Sequence, residues 1–238
     1  MRHILLQGAA DLGLALTDKQ IERFERYAAF LLEKNQVMNL TAITEEPEVA
    51  RLHFLDCLYL LRLGGFEDAA VLDVGSGAGF PGVPLKIARE DIRLTLLDAQ
   101  QKRVGFLQEL CHVIQLSDVT CLHARAEEAA LKAPLRDGFD VVTSRAVARL
   151  NVLIELCLPF VKKGGRFLAM KGPESDEEIR EAERGAKILG AVTEAVEDYT
   201  IPGTDVRHRV VVYRKTAPTP SGYPRRFAKI QKSPLGAK

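Results

Sequence analysis

Apolar residues recur at helical spacing near the start of the chain, and the pattern later shortens into brief buried runs. Thr17-Asp18-Lys19-Gln20 matches a capping box, in which the threonine and the glutamine three residues on satisfy each other's end amides. Ile21, Phe24, Tyr27, Ala28, Leu31 and Leu32 then follow at three- and four-residue steps, with charges on the opposite face. A loop through Asn39-Leu40-Thr41 leads to a second helix from about Thr44 and Pro47 to Leu63, ended by Gly64-Gly65. From residue 70 onward the pattern alternates between strand and helix. Strands are expected at 70–74, 93–97, 119–122, 139–143 and 166–170, the last entered through a Gly164-Gly165 turn. Helices are expected at 85–89, 102–114, 150–160 and 177–189. Two late strands, 194–199 and 208–214, have no helix between them and form a hairpin. Residues 216–238 are rich in Pro and basic residues, show no apolar period, and are read as loop or tail.

This order defines an α/β protein with a mostly parallel sheet covered on both faces and an antiparallel hairpin at its end. Three regions follow: a helical extension over 1–66, a core over 67–216 and a basic tail over 217–238.

Composition narrows the class. With 238 residues, 47% hydrophobic and 27% charged, the chain is a globular protein and not a disordered one. It has no run of the ~18 apolar residues that reads as a membrane span and no signal-peptide pattern at its start. Cys57, Cys111, Cys121 and Cys157 are widely spaced in apolar contexts, as expected of reduced core thiols in a cytoplasmic protein. No metal framework is visible. The net charge of +1 hides an asymmetry: Val206–Lys238 holds nine basic residues and no acid, while the other 205 residues carry 24 basic and 32 acidic ones. A basic end on an acidic body suits an anionic partner such as nucleic acid, or else a solubilising tail.

The chemistry concentrates after the first core strand. Asp73-Val-Gly75-Ser-Gly77-Ala-Gly79 links that strand to a helix, where glycines permit unusual dihedrals and close approach of a nucleotide. The GxGxG spacing differs from the GxGxxG of dinucleotide sites, and Asp73 there would repel a pyrophosphate. A carboxylate at that point suits the ammonium group of S-adenosylmethionine, directly or through water. Asp98, closing the second strand, is placed to accept hydrogen bonds from ribose hydroxyls. The amides of Ala126 or Glu127 lie where an adenine edge would be read, although acids there equally suit an ordinary helix start. Arg145 and Lys171 end the fourth and fifth strands at the edge where open α/β sheets bind ligands, a solvated surface position being the alternative.

Taken together, these residues resemble the RsmG (GidB) family of bacterial 16S rRNA methyltransferases. The resemblance rests on Met38-Asn39-Leu40-Thr41-Ala42-Ile43, His53-Phe54-Leu55-Asp56, DVGSGAGFPGVP over 73–84, Leu97-Asp98 with Lys102-Arg103, and Ser144-Arg145-Ala146-Val147-Ala148. It runs from about Ile21 to Leu235. Cys57 stands where a serine is usual, and 227–231 lacks the family's glycine-proline pattern. The resemblance implies a seven-stranded Rossmann-like class I fold and methyl transfer from S-adenosylmethionine to guanine N7 in the decoding-region loop of 16S rRNA, releasing S-adenosylhomocysteine. It adds Gly75, Phe80, Ala126, Glu127 and Arg145 to the expected cofactor contacts, beside Asp73, Gly77, Gly79 and Asp98. Candidate RNA contacts are Arg51, His53, Arg103, Arg145, Lys171, Tyr223, Arg225, Arg226 and Lys229, in 16S rRNA or the small ribosomal subunit; a core role for His53 and a packing role for Tyr223 are the alternatives. Asp56 is read as the structural partner of a neighbouring arginine. Nothing requires more than a monomer. The rival readings are a small-molecule methyltransferase, a nicotinamide-dependent oxidoreductase and a non-catalytic RNA-binding module.

Overall fold

A computed structural model describes residues 1–236. Helices α1 (Arg2–Asp11) and α2 (Asp18–Met38) and a helical run α3 (46–63) precede β1 (Ala70–Val74). There follow α4 (Gly82–Ala88), β2 (Arg93–Asp98), α5 (Gln101–Val113), β3 (Val119–His123), α6 (Ala126–Ala129), β4 (Phe139–Arg145) and α7 (Leu150–Cys157). The chain continues through β5 (Val161–Lys171), α8 (Asp176–Ile188), β6 (Ala191–Thr200), β7 (Arg207–Lys215) and α9 (Phe227–Lys232). The seven strands form one sheet in the order β3-β2-β1-β4-β5-β7-β6. The first five run parallel, and β7 pairs antiparallel with both β5 and β6. The order reverses between β1 and β4, which opens a crevice at their carboxyl ends.

Strand side chains alternate between two cores, as the two-residue period requires. Val71, Val141, Leu168 and Val210 face the core shared with α1–α5, and Leu72, Val142, Ala169 and Val211 face that of α6–α9. The N-terminal helices therefore pack into the first core, with Leu5, Phe24, Tyr27 and Phe54 fully buried. The capping box at α2 forms: Gln20 N donates to Thr17 Oγ1 at 3.3 Å, and Thr17 N donates to Gln20 Oε1 at 2.8 Å.

Arg2–Asp11 is a helix within the expected helical extension, at positions the apolar pattern does not single out. Three expectations need correction. The second expected helix is not regular, since Val49–Leu55 is π-helical within α3. Its buried pairs Val49-Ala50 and Phe54-Leu55 recur after five residues, which the wider turn brings to one face. Gly164 and Gly165 lie inside β5, beside an irregularity in its pairing with β4, and do not form a turn before it. The C-terminal segment is not a loose tail. Ile230 is fully buried in the second core, Leu235 is nearly so, and Tyr223 and Phe227 pack against it.

The tail is also tied down by charge. Arg136 donates to the carbonyls of Thr219 (2.9 Å), Pro220 (3.1 Å) and Tyr223 (2.7 Å). Lys215, with a fully buried side chain, reaches Asp137 Oδ1 at 2.9 Å and Thr219 Oγ1 at 2.5 Å.

Candidate active site

The glycine loop between β1 and α4 is held from below and from the side. Gly75 N and Ser76 N both donate to Leu97 O of β2, at 2.8 and 3.1 Å. Gly77 N donates to Asp98 Oδ2 at 3.0 Å, and Gln100 N to Asp98 Oδ1 at 2.8 Å. The fully buried Tyr27 hydroxyl of α2 donates to Ala78 O at 2.6 Å. Gly75, Gly77 and Gly79 all have left-handed backbones, at φ +73°, +57° and +101°. A Cβ on Gly79 would stand 2.7 Å from the Tyr27 hydroxyl, whereas one on Gly77 would meet only Gly75 O, at 3.9 Å.

Asp73 lies beneath the loop rather than in the cleft. It is fully buried, accepts from Gly82 N at 3.0 Å and from Thr143 Oγ1 at 3.3 Å, and has no face toward solvent. Alternation along β1 turns it to the side of Val71, beneath the loop and against the start of α4. Burial raises its pKa to about 7, opposed by these hydrogen bonds. Asp73 is thus a brace of the loop and not an exposed partner for an ammonium group.

Above the loop lies a cleft of about 590 Å³. Its floor is Gly75, Ser76, Gly77, Ala78 and Phe80; its walls are Leu40, Thr41, Ile43, Leu52 and His53 on one side and Arg145, Ala146, Met170, Lys171, Gly172, Val206 and His208 on the other, with Arg103 at the rim. The 40–43 wall is shaped by Asn35, whose Oδ1 accepts from Leu40 N (2.7 Å) and Thr41 N (2.9 Å) while Asn39 takes a left-handed turn at φ +50°. The π-helical turn carries Leu52 and His53 to the same wall, where His53 Nε2 meets Thr41 Oγ1.

Arg145 is the hub of the site. Its Nη1 donates to Asp56 Oδ2 at 3.0 Å and to Leu52 O at 3.3 Å; its Nη2 donates to His53 Nδ1 at 3.0 Å. Its guanidinium lies 4.7 Å from the Phe80 ring centroid, and the His53 ring stacks on Phe80 at 4.4 Å. Because His53 Nδ1 accepts from Arg145, the hydrogen of the neutral ring is on Nε2, which donates to Thr41 Oγ1 at 2.8 Å. Burial and the neighbouring arginine lower its pKa to about 4.

Asp56, fully buried, gathers three donors: Tyr199 OH on Oδ1 at 2.6 Å, His208 Nδ1 on Oδ1 at 2.8 Å, and Arg145. Burial pushes its pKa up, but the His208 hydrogen bond, the Arg145 charge and the Tyr199 hydrogen bond outweigh it, so the carboxylate titrates below its ordinary range.

Of the residues expected from sequence, Gly75, Gly77, Phe80, His53, Arg103, Arg145 and Lys171 line this one cleft. Asp98 lies behind Gly77, nearly buried, with Arg103 3.7 Å away. Gly79 faces Tyr27 and not the cleft. Ala126 and Glu127 open α6 at the carboxyl end of β3, mostly buried, with Glu127 holding Arg125 at 2.6 Å. Lys171 is paired with Glu178 at 2.7 Å, and Arg51 with Glu48 at 3.3 Å, outside the main cleft. In the C-terminal segment Arg226 and Lys229 are exposed, Tyr223 is half-buried against the second core, and Phe227 lies under the Arg125 guanidinium at 4.6 Å. Arg225 forms a bidentate pair with the fully buried Glu155, Nη2 to Oε2 at 2.6 Å and Nε to Oε1 at 2.8 Å, which favours an anchoring role over a phosphate contact. Among the described residues no helix is long and apolar enough to cross a membrane, and no group of three His, Cys, Asp or Glu could hold a metal ion.

Sequence reasoning did not single out His208 or Thr41 as lining residues. His208 opens an expected strand, and only the pairing of β7 with β5 brings it to the cleft. Thr41 belongs to a motif that was noted, without a role for its hydroxyl.

The strand order, the glycine loop after β1 and the acid ending β2 define a class I methyltransferase fold. Solved structures agree in fold: TrmN from Thermus thermophilus matches with a TM-score of 0.52 at 20% identity, over 67% of this chain and 48% of that one. A SAM-dependent methyltransferase from Aquifex aeolicus matches with a TM-score of 0.51 at 21% identity, over 71% and 93%. Sequence comparison is more specific. Residues 20–207 match the GidB family model, rRNA small subunit methyltransferase G. The ribosomal RNA small subunit methyltransferase G of Alkaliphilus oremlandii is 47% identical over 99% of both chains, and that of a Clostridium botulinum strain is 44% identical over 98% of both. The chain belongs to the GidB (RsmG) family.

Proposed function

We propose that this chain transfers the methyl group of S-adenosylmethionine to N7 of a guanine in the decoding-region loop of small-subunit rRNA. The observation that carries the reading is the cleft itself. The glycine loop, with the Asp98 carboxylate accepting from Gly77 N, floors one cleft whose lining includes Phe80, His53, Arg145 and Lys171. A nucleoside cofactor and a flat base fit side by side in such a space. Gly75, Gly77, Phe80 and Asp98 would hold the cofactor, with the amides that open α6 toward its adenine. Its sulfonium supplies an electrophilic methyl group.

The protein's own work is alignment and electrostatics. Guanine N7 has an in-plane lone pair and no proton, so no general base is required. Holding two reactants in line is worth about 7–11 kcal/mol in favourable cases. The chain has no Asn/Asp-Pro-Pro-Tyr type motif of the kind common in amino-group methyltransferases, which fits a ring-nitrogen target. Arg145 is clamped by Asp56, Leu52 and His53, and this fixes the wall against which the base sits. Arg103 at the rim, and the exposed Arg226 and Lys229 of α9, offer phosphate contacts of the kind by which cations position RNA.

The test is label transfer from S-adenosylmethionine to small subunits purified from cells lacking the enzyme, followed by digestion to nucleosides. Label in 7-methylguanosine is expected. Label in another nucleoside would overturn the choice of atom, and no label with cofactor binding intact would overturn the substrate.

A further inference from the structure

Asp56 and His208 form a carboxylate–imidazole pair that the alignment mechanism above does not use. Asp56 is fully buried in α3; His208, second residue of β7, lines the cleft and has a side chain 33% exposed. The pair joins at 2.8 Å through Nδ1. A carboxylate held ionised can only accept, so Nδ1 carries the hydrogen. In the neutral ring Nε2 then bears a lone pair. Among the described residues Nε2 has no hydrogen-bond partner, whereas Nδ1 is directed inward to Asp56. The Tyr199 hydroxyl shares the same carboxylate oxygen at 2.6 Å, and the Tyr199 ring stands edge-on to the imidazole at 88°. The ring is therefore fixed in tautomer and in plane before any substrate arrives.

The geometry points to His208 as a substrate contact: its Nε2 accepts a hydrogen bond from a Watson–Crick-edge N–H of the guanine being methylated, and Asp56 positions it. The inference rests on the guanine-N7 reading and adds the partner of the far edge of the base. As the methyl–sulfur bond breaks and the N7–carbon bond forms, positive charge passes from sulfur to the purine. A cationic purine is a stronger N–H donor than a neutral one. A fixed acceptor backed by a carboxylate binds it more tightly than the ground state, which is the condition for lowering a barrier. No proton need leave the base. Arg145 and Lys171, the cations on the same wall, are each paired with an acid, to Asp56 and to Glu178, so the wall does not present unpaired positive charge to the product.

Two substitutions separate the two ring nitrogens. The amide of His208→Asn can still donate to Asp56 from near the place of Nδ1 but has nothing at Nε2. His208→Gln carries its amide oxygen to the place of Nε2. Each variant is assayed as the full chain for methyl transfer to small subunits from cells lacking the enzyme. S-adenosylhomocysteine affinity, subunit affinity by filter binding and urea unfolding are measured alongside. For His208→Asn, kcat should fall roughly ten- to hundredfold, the effect of one hydrogen bond to a charged group, with KM, both affinities and the unfolding midpoint as in the wild type. His208→Gln should retain more of kcat than His208→Asn. Wild-type kcat in His208→Asn, a loss that tracks S-adenosylhomocysteine affinity or the unfolding midpoint, or a glutamine variant no better than the asparagine one would each overturn the contact. Failure of the wild-type protein itself to methylate guanine would instead overturn the function, and the contact with it.

Discussion

Arg225 separates a structural role from an RNA-binding one most sharply, and Arg225→Ala is the perturbation that does so. Its guanidinium makes a bidentate pair with Glu155, whose side chain is wholly buried in α7, and its backbone amide also donates to Glu155 Oε1 at 2.8 Å. Removing the side chain leaves a carboxylate in the second core with only that amide. Breaking a buried ion pair on one side costs about 3–5 kcal/mol, because the remaining charge cannot rehydrate. In urea, with a slope of about 2–3 kcal/mol per molar, the midpoint should move down by roughly 1–2 M. Replacing both partners, as Glu155→Leu with Arg225→Met, should restore most of the loss, since an apolar pair of similar volume is often neutral. RNA binding measured across salt, under conditions where the variant is folded, should keep the wild-type slope. If Arg225→Ala unfolded within 0.5 kcal/mol of wild type while its salt slope dropped, the side chain would be a phosphate contact and the anchoring argument would fail.

Three further outcomes follow from the site. Gly79→Ala forces a Cβ into the left-handed region and within 2.7 Å of the Tyr27 hydroxyl and 2.9 Å of Val83 Cγ2. It should lower stability by about 2–4 kcal/mol and weaken S-adenosylhomocysteine binding in a titration, and adding Tyr27→Phe should cost less than the two changes summed. His53, pushed down to about 4 by burial and by Arg145, binds a proton more readily in the unfolded chain. Its contribution is thus complete above about pH 6.5 and is lost as pH falls toward 4, so a His53→Gln variant should show a flatter stability profile in that window; an unchanged profile would contradict the buried neutral ring. Alanine at exposed Arg226 or Lys229 should reduce the salt slope of RNA binding by about 0.7 each without moving the urea midpoint, and an unaltered slope would remove them from the interface.

The strand–helix alternation and the glycine loop were legible because each rests on local pattern, and the seven strands and the capping box formed where residue spacing placed them. The terminal segment was misread because its burial depends on few residues. Ile230 and Leu235 alone give no period, and the cations around them conceal that Arg225 and Lys215 face acids far away in sequence. The burial of Asp73 is hidden in the sequence for a related reason. Its place in the motif suits a ligand, but alternation along β1 turns it toward Gly82, and only the packed α4 shows that the loop consumes its hydrogen bonds. The π-helical turn could have been suspected from the five-residue recurrence of Val49-Ala50 and Phe54-Leu55. The Asp56–His208 pair could not, since it joins positions 152 residues apart through the hairpin.

The most direct measurement is a crystal structure of the protein with S-adenosylhomocysteine bound. Density is expected over the Gly75–Ala78 floor, with the ribose beside Asp98, the adenine at the amides opening α6, and the sulfur directed toward the compartment of Phe80, Arg145 and His208. Density elsewhere, or none in crystals grown at saturating ligand, would contradict the assignment of this cleft as the methyl-transfer site.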